Sequence, residues 1–177
     1  GADDTATRGG VRVHTTVATR RVRCSMPWVR FAHRSRVRFG HCDPAGIAYY
    51  PRFFEWFHDA FEAFFEAVTG LSYAEVLSST GAGFPAVSSA CDWRSPARFG
   101  DLVVVEVFVS RLGERSGTFE YRVRRDDTLL ASATVKVAVL DLAARGSRPW
   151  PASVRAALEP YVEPLDAEAP AAERLRG

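Results

Sequence analysis

Residues 39–51 read Phe39-Gly40-His41-Cys42-Asp43-Pro44-Ala45-Gly46-Ile47-Ala48-Tyr49-Tyr50-Pro51, and lead directly into Arg52-Phe53-Phe54-Glu55-Trp56-Phe57-His58-Asp59-Ala60-Phe61. Gly40 to Gly46 is turn-like, because Asp-Pro and Gly favour tight reversals. Pro51 can occupy the first turn of a helix without losing a hydrogen bond. After it, Phe53, Phe54, Phe57, Ala60, Phe61, Phe64, Phe65 and Val68 recur at helical spacing, with Glu55, Asp59, Glu62 and Glu66 between them. Gly70 supplies the stop. The spacing predicts a helix of about 18–20 residues, roughly 28 Å long. Its apolar stripe is wide and aromatic, so a sheet is its natural partner. The same stretch puts a carboxylate, Asp43, just ahead of a helix N-terminus, where backbone N–H groups lack partners. Acid chemistry and oxyanion stabilisation can then meet in one small space.

Outward from the helix the pattern changes to strands. Val29, Phe31, Val37 and Phe39 alternate with Arg30, Arg34, Arg36 and Arg38, imperfectly around His33, as in a strand with one buried face. A short helical stretch at Tyr73–Ser78 precedes Gly81-Ala82-Gly83. A long interrupted strand is expected over 84–98, and the strongest β-run covers Leu102–Val109. Gly117–Arg125 and Leu129–Leu140 follow, joined by a hairpin at Arg125-Asp126-Asp127-Thr128. The order strand, long helix, four strands is α+β, an antiparallel sheet of about five strands wrapped around one long central helix. Such a sheet leaves an edge strand to be covered, and pairing with a second subunit would cover it.

The 177 residues suit one domain over 26–150. Residues 1–25, ahead of the first strand and its neighbour Met26, read as a tag or flexible arm. Residues 151–177 read as a short helix over 152–162 and a mobile Ala/Glu/Pro tail. At 47% hydrophobic and 25% charged, with a net charge of +2, the chain is ordinary globular protein with no strong pull toward nucleic acid or membrane. Nine Arg face two Asp in residues 1–40, and Lys136 is the sole lysine, which reads as composition bias rather than a binding patch. Cys24, Cys42 and Cys91 are an odd set without metal-ligand spacing. Neither a disulfide framework nor a zinc site is expected, and a reducing, cytoplasmic setting is the simplest inference.

The segment Phe39-Gly40-His41-Cys42-Asp43-Pro44-Ala45-Gly46-Ile47, with Tyr50-Pro51 and Trp56, resembles the 4-hydroxybenzoyl-CoA thioesterase family of hotdog fold. The similarity continues through Pro85-Ala86-Val87-Ser88, Trp93 and Asp101-Leu102, covering most of residues 36–142. The resemblance implies hydrolysis of an acyl-CoA thioester without metal or cofactor, by a homodimer or a homotetramer built as a dimer of dimers. It places each active site at a subunit interface. It maps the family's carboxylate onto Asp43 and its carbonyl-polarising backbone N–H onto Tyr50.

Asp43 is accordingly a candidate nucleophile or general base. A thioester is already activated, so one carboxylate and an electrophilic clamp suffice. The plainer reading, an Asp-Pro that merely opens a turn, stands beside it. Tyr50 would act through its main chain while its ring packs. His41 and Cys42 cannot work as a pair, because adjacent residues on an extended chain point apart. Candidate substrate-binding residues are Gly46, His58, Trp93, Arg98 and Arg115. His58 stands where, by alignment, related aromatic-acyl enzymes carry an acid near the substrate ring, a departure that bears on acyl specificity. Arg98 and Arg115 could pair with coenzyme A phosphates, although Gly113 and Glu114 stand where the family has arginines. Two other readings remain: a thioesterase for aliphatic acyl-CoA or acyl carrier protein, and an acyl-binding module without turnover.

Overall fold

The computed structural model describes residues 30–163, so the expected N-terminal arm and C-terminal tail lie outside the described residues. The chain runs β1 (Phe31–Arg36), a 3-10 turn (Phe39–His41), α1 (Pro51–Thr69), α2 (Tyr73–Thr80), β2 (Ala82–Gly83), β3 (Ala86–Trp93) and β4 (Leu102–Leu112). It continues with β5 (Ser116–Arg125), β6 (Thr128–Ala138), β7 (Leu140–Asp141), α3 (Ala152–Leu158) and a closing 3-10 turn (Glu159–Tyr161). The five-stranded antiparallel sheet has the order β1-β4-β5-β6-β3, and β2 pairs β7 in a small separate ladder. This is the α+β hotdog arrangement that the aromatic helix and the strand order require.

Helix α1 forms where the spacing predicts. Pro51 is its first residue, and Gly70 ends it with φ +73° and an N–H donated to Glu66 O at 2.9 Å. Its buried face is Phe53, Trp56, Phe57, Ala60, Phe61, Phe64 and Phe65. Trp56, absent from the expected stripe, is fully buried, whereas Phe54 and Val68 are only half-buried. The face packs on alternate residues of the inner strands, Val103, Val105, Val107, Phe119, Tyr121 and Val123. Rings carry much of the contact: Phe61 meets Phe119 edge-on at 5.0 Å and Phe57 lies 5.0 Å from Tyr121. Pairs of this kind contribute about 0.5–1.5 kcal/mol beyond area burial.

Two strands are shorter than the alternation suggests, whereas β4 runs beyond its expected end to Leu112. The run expected over 84–98 is a strand only at Ala86–Trp93, because Pro85 and Pro96 on its flanks have no N–H to donate. The run expected from Val29 to Phe39 ends at Arg36, and His41 Nδ1 then accepts the Arg38 N–H at 3.2 Å to set the 3-10 turn. At the other end, the helix expected over 152–162 stops at Leu158 and tightens to a 3-10 turn containing Pro160. Val154 and Leu158 are buried, so α3 belongs to the same core as the sheet. Val162 then extends the β1 edge by bridging Val109, and Arg30 Nε holds Glu163 at 2.9 Å.

Candidate active site

The loop from β1 to α1 is fastened to the segment before β4. Val37 and Gly100 are linked through the bonds Val37 N–H to Asp101 O and Gly100 N–H to Val37 O, both 2.9 Å. Ala48 N–H donates to Ala97 O at 2.8 Å, and Ile47 bridges Arg98. Between these fixed points the chain reverses at Asp43. Asp43 N–H donates to Ile47 O at 2.9 Å, Gly46 N–H returns to Asp43 O at 2.9 Å, and Gly46 adopts φ +75°. Asp43 Oδ1 accepts the Ala45 N–H at 2.8 Å. The turn-forming role of Asp43 is thus compatible with a chemical one. One carboxylate oxygen orients the loop, while Oδ2 receives no donor from the described residues.

Tyr50 is the N-cap of α1, with φ −51° and ψ −35° and no side-chain cap. Tyr49 N–H is taken by His41 O at 2.9 Å and Arg52 N–H by Tyr49 O at 2.9 Å, while Pro51 has no N–H. The Tyr50 N–H donates to no described residue. It is thus a single open donor at the electropositive end of a 19-residue helix.

Asp43 and Tyr50 line one cleft of about 590 Å³, together with Tyr49, Phe53, Trp93 and Arg94. Tyr50 and Trp93 meet edge-on at 5.9 Å, so the aromatic wall is continuous. Arg94, which the sequence reading passed over, makes no ion pair among the described residues. Its position directly after Trp93 at the end of β3 was the available signal. Burial and the nearby Arg52 and Arg38 guanidinium groups lower the His41 pKa, in keeping with Nδ1 accepting the Arg38 N–H. Cys42 Sγ lies 3.9 Å from Arg38 O, not on His41.

The remaining candidates are dispersed. Gly46 shapes the Asp43 turn. His58 lies two turns along α1, paired with Glu62 at 3.1 Å, and lines a second cavity of about 520 Å³ that Asp43 does not reach. The second cavity lies between α1, α2 and the β3 side of the sheet, and Tyr73 and Tyr121 line it. Within one chain the ring contact of Phe54 with Trp93, 6.4 Å between centroids, separates it from the cleft. Arg98 flanks the cleft through its neighbour Ala97, and its N–H donates to Asp101 Oδ2 at 2.8 Å. Arg115 sits in the β4–β5 turn beside Glu114, at the opposite end of the 11-residue strand β4. That strand spans roughly 35 Å at about 3.3 Å per residue, so Arg98 and Arg115 of one chain are not neighbours. Among the described residues no cluster of three or more His, Cys, Asp or Glu side chains could hold a metal ion, and no helix is long and apolar enough to cross a membrane.

The chain has relatives among known proteins. Residues 37–158 match the model of the thioesterase-like superfamily. An acyl-CoA thioesterase, YbgC, of Haemophilus influenzae is 29% identical over 127 residues, 72% of this chain and 93% of its own. A 1,4-dihydroxy-2-naphthoyl-CoA hydrolase of Nostoc punctiforme is 23% identical, covering 82% of this chain and 95% of its own. The solved structure of a gentisyl-coenzyme A thioesterase superposes with a TM-score of 0.65 at 28% identity, over 72% of this chain and 98% of its own. A mutant 4-hydroxybenzoyl-CoA thioesterase complexed with 4-hydroxybenzoyl-CoA shares the fold, with a TM-score of 0.68 at 20% identity over 73% of this chain and 98% of its own. With an antiparallel sheet around one aromatic helix and a matching span of 122 residues (37–158), the chain belongs to the thioesterase-like superfamily of hotdog proteins.

Proposed function

We propose that this protein is an acyl-CoA thioesterase, that it favours aromatic acyl groups, and that Asp43 and the Tyr50 main chain do the chemistry. The single observation that carries this reading is the open Tyr50 N–H in the same cleft as a carboxylate with a free oxygen. The thioester carbonyl oxygen accepts from Tyr50 N–H, where the helix end stabilises the negative charge that develops on it. Asp43 then either takes a proton from an attacking water or attacks the carbonyl carbon itself. In the first case the carbon–sulfur bond breaks directly to acid and coenzyme A thiol. In the second, a mixed anhydride with Asp43 forms as the thiol departs, and water hydrolyses it. No metal or cofactor is needed in either sequence of steps. The rings of Tyr49, Tyr50, Phe53 and Trp93 favour a flat acyl group, in keeping with the aroyl-CoA enzymes among its relatives. Arg94 offers a cation for the coenzyme A portion.

The working unit is a dimer paired through β3. Residues Ala86 to Cys91 form a sheet edge without charge, and Val87 is 56% exposed. Unprotected edges of this kind pair with a copy of themselves. The other edge, β1, carries Arg34 and Arg36 and is extended by Val162. A strand that pairs with its own copy about a two-fold axis must run antiparallel. The Trp93 end of one β3 then lies against the Ala86 end of the other. The Asp43 cleft of each protomer thereby faces the 520 Å³ cavity of its partner, and pairs of such dimers give the tetramer.

The test is a thiol-release assay across benzoyl, hydroxybenzoyl, phenylacetyl, hexanoyl and palmitoyl thioesters of coenzyme A, and of an acyl carrier protein. Release of thiol fastest from the aroyl-CoA members supports the reading. Preference for alkyl thioesters would overturn the aromatic assignment, and no release from any of them would overturn the enzyme itself.

A further inference from the structure

The cavity along α1 holds two phenols whose rings pack in the core but whose hydroxyls the fold does not use. Tyr121 is 3% exposed and lies on the inner face of β5, its ring 5.0 Å from Phe57. Tyr73 opens α2, its ring 5.7 Å from Phe61 and 5.6 Å from Phe65. Both line the cavity, and neither hydroxyl makes a hydrogen bond to any described residue. Sealed polar side-chain atoms without a hydrogen bond number two among the described residues, Trp56 Nε1 and Glu106 Oε2. The Tyr121 oxygen is not one of them, so the little surface that this residue keeps includes its oxygen, which opens into the cavity. A buried phenol ordinarily finds a partner, because an unpaired hydroxyl in an apolar setting is unfavourable by about 1–3 kcal/mol. Phenylalanine would fill the same space without that penalty.

Apart from His58 and Ser89, the remaining walls are apolar, with Phe54, Phe57, Phe61, Phe84, Val135 and Val137 among them. The space, about 520 Å³, is generous. At about 30 Å³ for a group the size of a water molecule, one six-membered ring fills less than half of it. Burial holds both phenols protonated through neutral and mildly alkaline pH: it pushes Tyr73 up to about 12, and Tyr121 is raised as well. Each therefore remains a hydrogen-bond donor as well as an acceptor.

We propose that Tyr73 and Tyr121 are specificity-determining residues that hydrogen-bond an oxygen substituent on the far end of a multi-ring or extended acyl group lodged in this cavity. The proposal rests on the thioesterase reading above and deepens it. The acyl group starts at the Tyr50 N–H of one protomer, crosses the β3 seam and ends in the partner's copy of this cavity, among groups that reward a hydroxyl or carbonyl oxygen. A plain alkyl chain would leave both phenols unpaired. His58, at the same cavity and exposed beside Glu62, stands at its rim rather than over the carbonyl.

The experiment compares kcat/KM for 6-hydroxy-2-naphthoyl-CoA, whose hydroxyl is on the ring distant from the carbonyl, and 2-naphthoyl-CoA in the wild type, in Tyr121→Phe, in Tyr73→Phe and in the double variant, with hexanoyl-CoA as a third thioester. The wild type should favour the hydroxylated member. That preference should fall roughly 10-fold in a single variant, and toward unity in the double one. Tyr→Phe conserves shape, and thermal melting verifies that each variant is folded. A wild-type preference that both variants retain would overturn the proposal, as would the absence of any preference in the wild type. Hydrolysis of hexanoyl-CoA alone would sink the proposal and leave the thioesterase reading standing. Hydrolysis of none of the three would count against both.

Discussion

Asp43 and Tyr50 line the same cleft, the Asp43 carboxylate with one oxygen unused and the Tyr50 backbone N–H with no acceptor among the described residues. They are seven positions apart in sequence, and the intervening turn is held by Ala48 N–H on Ala97 O. Proximity of this sort lets a helix end and an acid act on one carbonyl carbon and its oxygen.

Removing the donor without removing the helix is feasible at Tyr50. Its φ of −51° suits a proline ring, and the N–H that proline lacks makes no bond to the protein. Tyr50→Pro is expected to lower kcat about 10²–10³-fold. Tyr50→Ala, which keeps the N–H and loses the ring, should retain far more of it. Equal loss in both would assign the effect to the side chain.

The loop depends on Gly46. Its φ of +75° is a left-handed conformation, although a Cβ would meet nothing within 4 Å. Gly46→Ala should therefore lower stability by roughly 1–2 kcal/mol through backbone conformation alone. The loss is read as a lower denaturant midpoint at unchanged slope. Activity should fall further than stability, because the Asp43 turn must shift.

Much of this was legible in the chain because it is local. The turn at Asp43, the Pro51 start, the aromatic stripe and the Gly70 stop each depend on neighbours within a helical turn or two. Strand limits were less legible, since Pro85 and Pro96 end β3 by withholding donors that alternation does not register. Arg98 and Arg115, both candidates for coenzyme A phosphates, are separated within one chain by the length of β4, a distance the sequence does not display. That Tyr73 on α2 and Tyr121 on β5 line one cavity is a long-range arrangement with no sequence period to announce it.

Two-fold pairing through β3 makes a distinctive forecast. Asp43→Asn and the cavity-filling Val135→Trp should each be nearly inactive on a naphthoyl thioester. Refolded together in equal amounts, half of the dimers are mixed, and each mixed dimer carries one intact composite site. About a quarter of wild-type activity should return. If cleft and cavity of one chain serve each other, mixing restores nothing.

Acid sensitivity has an identifiable contributor in His33. Burial lowers its pKa below the ordinary histidine value, against an opposing pull from Asp59. The unfolded chain therefore binds a proton at His33 before the folded one does, so stability falls as pH drops through and below about 6.5. His33→Gln should flatten the stability–pH curve between roughly pH 7 and 5, measured by urea unfolding. A slope unchanged by that substitution would remove His33 from the account.

The most direct measurement is single-turnover hydrolysis of an aroyl-CoA by Asp43→Asn, with binding of the same thioester measured in parallel. The variant is expected to fold and to bind the thioester, with turnover lowered about 10²–10⁴-fold. Turnover within a few-fold of wild type would contradict the assignment of Asp43, and with it the chemistry proposed for this cleft.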